Sequence, residues 1–189
     1  MAKKIIFSDS ISINEIKDSK LDNWIEKTLE ESKKKDPRVP ISSVGGYQTH
    51  DVLNEESATL FGSYAASALK DFTDKKFEFK MWNMWINENY KYSYNKLHTH
   101  PNCHFSGVYY YKVPKDSGYI EFHRTDATAF LNLIDYYKTH DTFTTYEITP
   151  TPGMFIVFPA SFSHSVHQSM SEGPRVSVAF NFSITGQYK

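Results

Sequence analysis

Arg175-Val176-Ser177-Val178-Ala179-Phe180-Asn181-Phe182 decides the fold. Its alternation puts Arg175 and Ser177 on one face of a strand and Val176 and Val178 on the other. A strand that hides valines on one side and carries a guanidinium on the other needs a buried partner for that charge. Upstream, Gly153-Met154-Phe155-Ile156-Val157-Phe158-Pro159 is a short apolar run ending in proline, the pattern of a buried strand that leaves its sheet at a rim. Further segments of the same kind run from Phe77 to Asn87, Phe105 to Lys112, Tyr119 to His123 and Thr144 to Ile148. With Met154 to Phe158 and Arg175 to Ser183 they predict an all-β core whose strands are separated by turn residues.

Ahead of these strands the pattern changes, and the first half reads as mainly helical. From Leu21, the residues Trp24, Ile25 and Leu29 repeat at helical spacing, with Asp18 or Ser19 as cap and Lys33-Lys34-Lys35 as a dipole-compatible end. A second helix starts at Asn54, takes Glu55 and Glu56 in its first turn, and lines one face with Phe61, Tyr64, Ala65, Ala68, Leu69 and Phe72. That stripe is expected to pack on the outside of a sheet. Gly45-Gly46 marks the segment around Tyr47 and Gln48 as an ordered turn or loop. Between Arg124 and Phe143 the strand rhythm breaks, and Ala129, Phe130, Leu133, Ile134 and Tyr137 suggest a short helix capped by Asp126, a lid or a packing element. No repeat or low-complexity linker divides the chain, so residues 1–189 read as one domain.

The chemistry concentrates around His98-Thr99-His100 and His164. Histidines at i and i+2 of an extended segment point to one side, so both imidazoles reach a single ion at about 2.0–2.1 Å. His164, just after the Met154 to Phe158 run, is placed to supply a third ligand. Eleven positions on, Arg175 beside Ser177 offers a guanidinium fork and a hydroxyl suited to a carboxylate. A second register makes His100 the first ligand, with Asn102 in the following ligand position or Glu121 recruited from the next strand. His50, His104, His123, His140 and His167 read as structural or exposed.

Composition excludes several classes. A net charge of -1 gives no global attraction for nucleic acid or an anionic membrane, and the Tyr109-Tyr110-Tyr111 run lies in no basic patch. Cys103 is the sole cysteine, so no intrachain disulfide forms and a reducing interior is expected. Its N-terminal apolar run is too short for a signal peptide and nothing approaches a membrane span. These features predict a soluble, cytoplasmic protein and admit a homodimer.

An ordered set of segments carries a resemblance: Ser43-Val44-Gly45-Gly46-Tyr47-Gln48, Trp85-Ile86-Asn87, Asn95, His98-Thr99-His100-Pro101, Ser106-Gly107-Val108-Tyr109-Tyr110-Tyr111, Pro152 to Pro159, His164-Ser165-Val166, and Arg175 to Asn181. In these the chain resembles the non-haem Fe(II), 2-oxoglutarate-dependent oxygenases, and within them a group of small oxygenases common in marine bacteria and their phages. The resemblance implies a double-stranded β-helix, or jelly roll, with the helices on the outer face of one sheet and Fe(II) and 2-oxoglutarate between the sheets. It also implies that a phage-encoded copy would act in the host cytoplasm. His98, His100 and His164 are the implied catalytic iron ligands; Arg175 and Ser177 would hold the 2-oxoglutarate C5 carboxylate, with Asn95 and Tyr110 as further cosubstrate contacts. One departure stands out: the superfamily's usual ligand set is two histidines and a carboxylate, and His100 occupies the carboxylate position. The implied activity is hydroxylation of a small-molecule or peptide substrate with release of succinate and CO2. A three-histidine, cupin-type dioxygenase that needs no oxo acid, and a non-catalytic jelly-roll binding module, are the alternatives. Succinate formation separates the first from the second, and iron binding excludes the third.

Overall fold

The computed structural model describes residues 9–35, 42–124 and 145–187. In chain order these form β1 (Ser12–Glu15), α1 (Ser19–Lys35), β2 (Ser43–Val44), β3 (Tyr47–Gln48), α2 (Glu55–Ala68), β4 (Phe77–Asn89), β5 (Tyr94–His98), β6 (Phe105–Lys112), β7 (Ile120–His123), β8 (Thr145–Ile148), β9 (Met154–Pro159), β10 (Ser163–Val166) and β11 (Arg175–Gln187). Two sheets result, ordered β1-β9-β6-β11-β4-β3 and β2-β5-β10-β7-β8, with every neighbouring pair of described strands antiparallel. From β4 to β7 the chain switches sheet at each strand, and from β8 to β11 it does so again. That alternation is the double-stranded β-helix, a closed answer to the problem of exposed strand edges.

Both helices lie on the outer face of the larger sheet. Asp18 caps α1, its Oδ1 accepting from the Lys20 N–H at 2.9 Å. Asn54 caps α2 through a reciprocal capping box with Ser57. Leu21, Trp24 and Ile25 of α1 and Phe61 and Ala65 of α2 are buried against Met84, Ile86, Val176, Val178 and Phe180 of the sheet. Each such large apolar side chain contributes about 1.5–3 kcal/mol on leaving water. At Gly107 the close packing has left no room for a side chain: an added Cβ would lie 2.2 Å from the Phe180 ring. Lys33, in the basic end of α1, pairs with the buried carboxylate of Glu88 on β4, which also accepts from the Tyr90 hydroxyl.

Several expectations are corrected. The first half carries both helices, as expected, and also β1 to β4 and the start of β5. The segment around Tyr47 and Gln48 is a pair of two-residue strands, one joining each sheet, with Gly45 at φ +77° in the turn between them. The predicted strands reach further than expected: β4 continues to Asn89 and β11 to Gln187. The helix expected around Ala129 to Tyr137 lies outside the described residues, and so does His140. No described helix is long and apolar enough to cross a membrane.

Candidate metal centre and anion pocket

Antiparallel pairing brings the histidines together. β5 lies beside β10 with His98 opposite His164, and β10 lies beside β7 with His164 opposite Phe122. Just past the end of β5, the His100 backbone N–H donates to the Ala160 carbonyl at 3.0 Å, which turns its ring back toward the other two. Ring centroids are 4.3 Å apart for His98 and His164, 5.1 Å for His98 and His100, and 5.1 Å for His100 and His164. One nitrogen from each ring lies within 4.8 Å of the others. The three histidines named first in the sequence are therefore brought together.

The environment prepares these imidazoles as ligands. Nδ1 of His98 lies 2.6 Å from the Lys96 carbonyl oxygen and Nδ1 of His164 lies 2.9 Å from that of Phe162. A proton on each Nδ1 satisfies those contacts and leaves Nε2 with its lone pair free, the usual way a neighbouring acceptor orients a metal-binding histidine. Burial pushes His164 down to about 3 and His100 down to about 4, with charge repulsion from His98 adding to both. Burial lowers His98 as well. All three are neutral near pH 7 and need lose no proton to bind a cation. Three imidazoles suit a borderline divalent metal such as Fe(II) rather than Mg(II) or Ca(II).

The alternative ligands point elsewhere. Glu121 sits opposite Ser165, on the other face of β7 from Phe122, and its Oε2 accepts from His167 Nε2 at 2.7 Å. Asn102 is an exposed turn residue at φ +65°. His104 serves the backbone, accepting from the Ile184 N–H at 3.0 Å. His123 bonds Ser165 at 3.0 Å, and His50 is exposed.

From the histidines a narrow cavity of about 50 Å³ runs between the sheets to Arg175. Strand parity decides what faces it. On β11 these are Arg175, Ser177 and Ala179; on β4, Asn89, Asn87 and Trp85 stand opposite them in the same order. Tyr110 and Val108 of β6 flank Ser177 and Ala179 from the other side. Arg175 is only 2% exposed, and among the described residues no aspartate or glutamate lines the cavity. One of its terminal nitrogens donates to the Ser117 carbonyl at 2.6 Å, whereas its Nε has no partner. A buried cation with an orphan donor and no described carboxylate beside it can hold an anion. Burial holds Arg175 below its ordinary range while the Tyr110 hydroxyl opposes that shift, and burial pushes Tyr110 itself up to about 12. Tyr110 is thus a protonated donor at neutral pH.

The expected pocket residues Arg175, Ser177, Asn95 and Tyr110 all line this cavity. Asn95 already donates to Ser42 Oγ at 3.2 Å. Sequence reasoning missed Asn89, and it singled out Trp85 and Asn87 only as part of a resemblance. Trp85 stacks obliquely on His100, with centroids 5.7 Å apart.

Residues 83–181 match the family described as "Putative 2OG-Fe(II) oxygenase". No curated protein matches the sequence. Among solved structures the chain is similar to HygX from Streptomyces hygroscopicus, determined with nickel and 2-oxoglutarate bound, at 14% identity and a TM-score of 0.65 over 94% of this chain and 83% of that one. It is similar to a Pseudomonas putida prolyl-4-hydroxylase at 13% identity and a TM-score of 0.56, over 95% of each chain. The viral collagen prolyl hydroxylase of Paramecium Bursaria Chlorella virus-1, solved with 2-oxoglutarate, gives 12% identity and a TM-score of 0.59 over 91% of this chain and 94% of that one. At these identities the likeness is one of fold.

Proposed function

This chain belongs to the 2OG-Fe(II) oxygenase family matched over residues 83–181, and from that premise we propose that it is an Fe(II)- and 2-oxoglutarate-dependent dioxygenase that hydroxylates a small-molecule or peptide substrate. The observation that carries the reading is a single cavity with three neutral imidazoles at one end and a buried, anion-seeking arginine at the other.

His98, His100 and His164 would hold the iron, and Arg175 with Ser177 and Tyr110 would hold the distal carboxylate of the oxo acid. When bound, iron and 2-oxoglutarate supply an oxidation that puts one oxygen atom of O2 into the substrate and releases succinate and carbon dioxide. The chain's own contribution is orientation and electrostatics. The backbone carbonyls of Lys96 and Phe162 fix two imidazoles in one tautomer. Ser117 pins the guanidinium, so the oxo acid meets a preset fork. Trp85, Phe158 and Ile120 give the cavity apolar walls, which strengthen each charge interaction by excluding water. All three ligands being neutral, a bound Fe(II) would carry one more positive charge than with a carboxylate ligand, which favours an anionic cosubstrate.

Anaerobic Fe(II) titration followed by oxygen, with succinate measured from 2-oxoglutarate, tests this in the wild type, His164→Ala and Arg175→Ala. Succinate from the wild type alone supports the proposal; its absence from an iron-loaded wild type refutes it. A three-histidine dioxygenase needing no oxo acid would bind the same iron and release no succinate. It stands second because it leaves Arg175 buried without an anion.

A further inference from the structure

Five buried side-chain nitrogen or oxygen atoms among the described residues make no hydrogen bond: Ser43 Oγ, Gln48 Oε1, Asn87 Oδ1, Asn89 Nδ2 and Arg175 Nε. They are not scattered. Asn89 stands opposite Arg175 across the β4–β11 pairing, and Asn87 stands between Ser177 on one side and Gln48 on the other. The turn between β2 and β3 closes the group, since a Cβ placed on Gly46 would lie 2.9 Å from Ser43 Oγ and 3.1 Å from Asn89 Nδ2. Orphan buried polar atoms are few in folded proteins and each costs free energy, so a cluster of them around one pole needs an explanation.

We propose that Asn89 is a further cosubstrate-contacting residue, its amide donating to the distal carboxylate beside Arg175, and that Gly46 is the residue that leaves the amide free to do so. The inference rests on the oxygenase reading above. Asn89 is 1% exposed and lines the cavity, and its amide nitrogen has no protein partner there. A carboxylate offers about four acceptor sites. With one terminal nitrogen of Arg175 spent on Ser117, the Arg175 Nε and the Ser177 and Tyr110 hydroxyls fill three of these and leave one for a further donor. Gly46 explains the Gly45-Gly46 pair: Gly45 supplies the turn at φ +77°, whereas Gly46 is small because Ser43, Asn89 and the Glu88 carbonyl converge on it. Any side chain there would push the Asn89 amide off its position.

The test is calorimetric titration of 2-oxoglutarate into the anaerobic protein loaded with Mn(II), with the unfolding midpoint of each variant measured before oxo acid is added. Asn89→Ala is expected to weaken 2-oxoglutarate at least tenfold while leaving the midpoint and the Mn(II) affinity unchanged, because it removes a buried atom that has no partner. Asn89→Asp, which sets carboxylate against carboxylate, should weaken it at least a hundredfold, and Gly46→Ala should act in the same direction as Asn89→Ala. Two results overturn the inference. One is 2-oxoglutarate affinity within twofold of wild type in Asn89→Ala while Arg175→Ala has lost it. The other is a midpoint that falls together with the affinity, which would make Asn89 a structural residue. If Arg175→Ala itself binds 2-oxoglutarate normally, the cosubstrate reading of the whole pole falls, and the inference with it.

Discussion

Replacing Arg175 by methionine separates a residue kept for stability from one kept for a ligand. Arg175 is 2% exposed, faces no carboxylate among the described residues, and makes one side-chain hydrogen bond with them, to the Ser117 carbonyl. Burying a guanidinium costs several kcal/mol even after local relaxation. Its loss leaves one carbonyl without a donor, a cost of about 1–3 kcal/mol. Methionine fills a similar volume and adapts to irregular space. In the absence of metal and oxo acid, Arg175→Met should therefore be as stable as the wild type or up to about 3 kcal/mol more stable. At about 2–4 °C per kcal/mol for a chain of this size, that is a midpoint shift of about 0 to +10 °C. Added 2-oxoglutarate should show the opposite ranking. At a hundred times its dissociation constant it stabilises the Mn(II)-loaded wild type by about 2.7 kcal/mol. Losing two charge-assisted hydrogen bonds of about 1.5–3 kcal/mol each would abolish that shift in the variant. Differential scanning fluorimetry with and without oxo acid reads both effects. A variant destabilised by more than about 2 kcal/mol that still responds to 2-oxoglutarate would refute the reasoning, because the arginine would then be a structural residue.

Acidification should weaken the metal-free protein. His100 and His164 sit at about 4 and about 3 when folded, below the value of about 6.5 for a free imidazole. The unfolded chain therefore binds more protons below pH 6.5, and each histidine should cost about 2 kcal/mol of stability between pH 7 and pH 5. Urea midpoints at the two pH values check this, and His164→Phe should flatten the dependence. Gly107→Ala should lower the unfolding midpoint by about 2–10 °C, since the new methyl group meets the Phe180 ring at 2.2 Å and overpacking of this kind costs about 1–3 kcal/mol; an unchanged midpoint would mean that the ring has room to move. His100→Asp should leave Mn(II) bound but weaken 2-oxoglutarate by about ten- to a hundredfold, because one negative charge is added within a few Å of an anionic ligand; titration calorimetry decides it, and equal or tighter binding would show that charge at this ligand position does not govern the oxo acid.

The part of the site that could be read in advance follows short-range periodicity. His98 and His100 share a side because they are two residues apart in extended chain, and Arg175 and Ser177 share one for the same reason. The part that could not be read depends on which strands become neighbours. Asn89, Asn87 and Trp85 have the right parity on their own strand, but only the β4–β11 register sets them opposite Arg175, Ser177 and Ala179. Nothing within ten residues of Asn89 announces that pairing. β2, β3 and β10 are two to four residues long, too short for alternation to stand out, and they are extended because a neighbouring strand pairs with them. Asn102 and Glu121 show the converse: each offered an alternative ligand by residue type, and each is turned away, Asn102 by a left-handed turn and Glu121 by the opposite face of a strand.

The same alternation explains why fold and site cannot be varied independently. Along β4 and β11, the residues between the cavity positions are Ile86, Glu88, Val176 and Val178, which are buried on the other face, the valines and Ile86 in the core beneath the helices. A one-residue slip of either strand would carry Arg175 or Asn87 into that apolar layer and expose the valines to the cavity, so the core that stabilises the sheet also fixes the register of the pocket. The stability supplied by the helix-covered face offsets the orphan polar atoms on the other. That division predicts where substitutions will be tolerated: apolar replacements on the cavity face should keep or raise stability while lowering ligand affinity, and those on the helix face should cost stability.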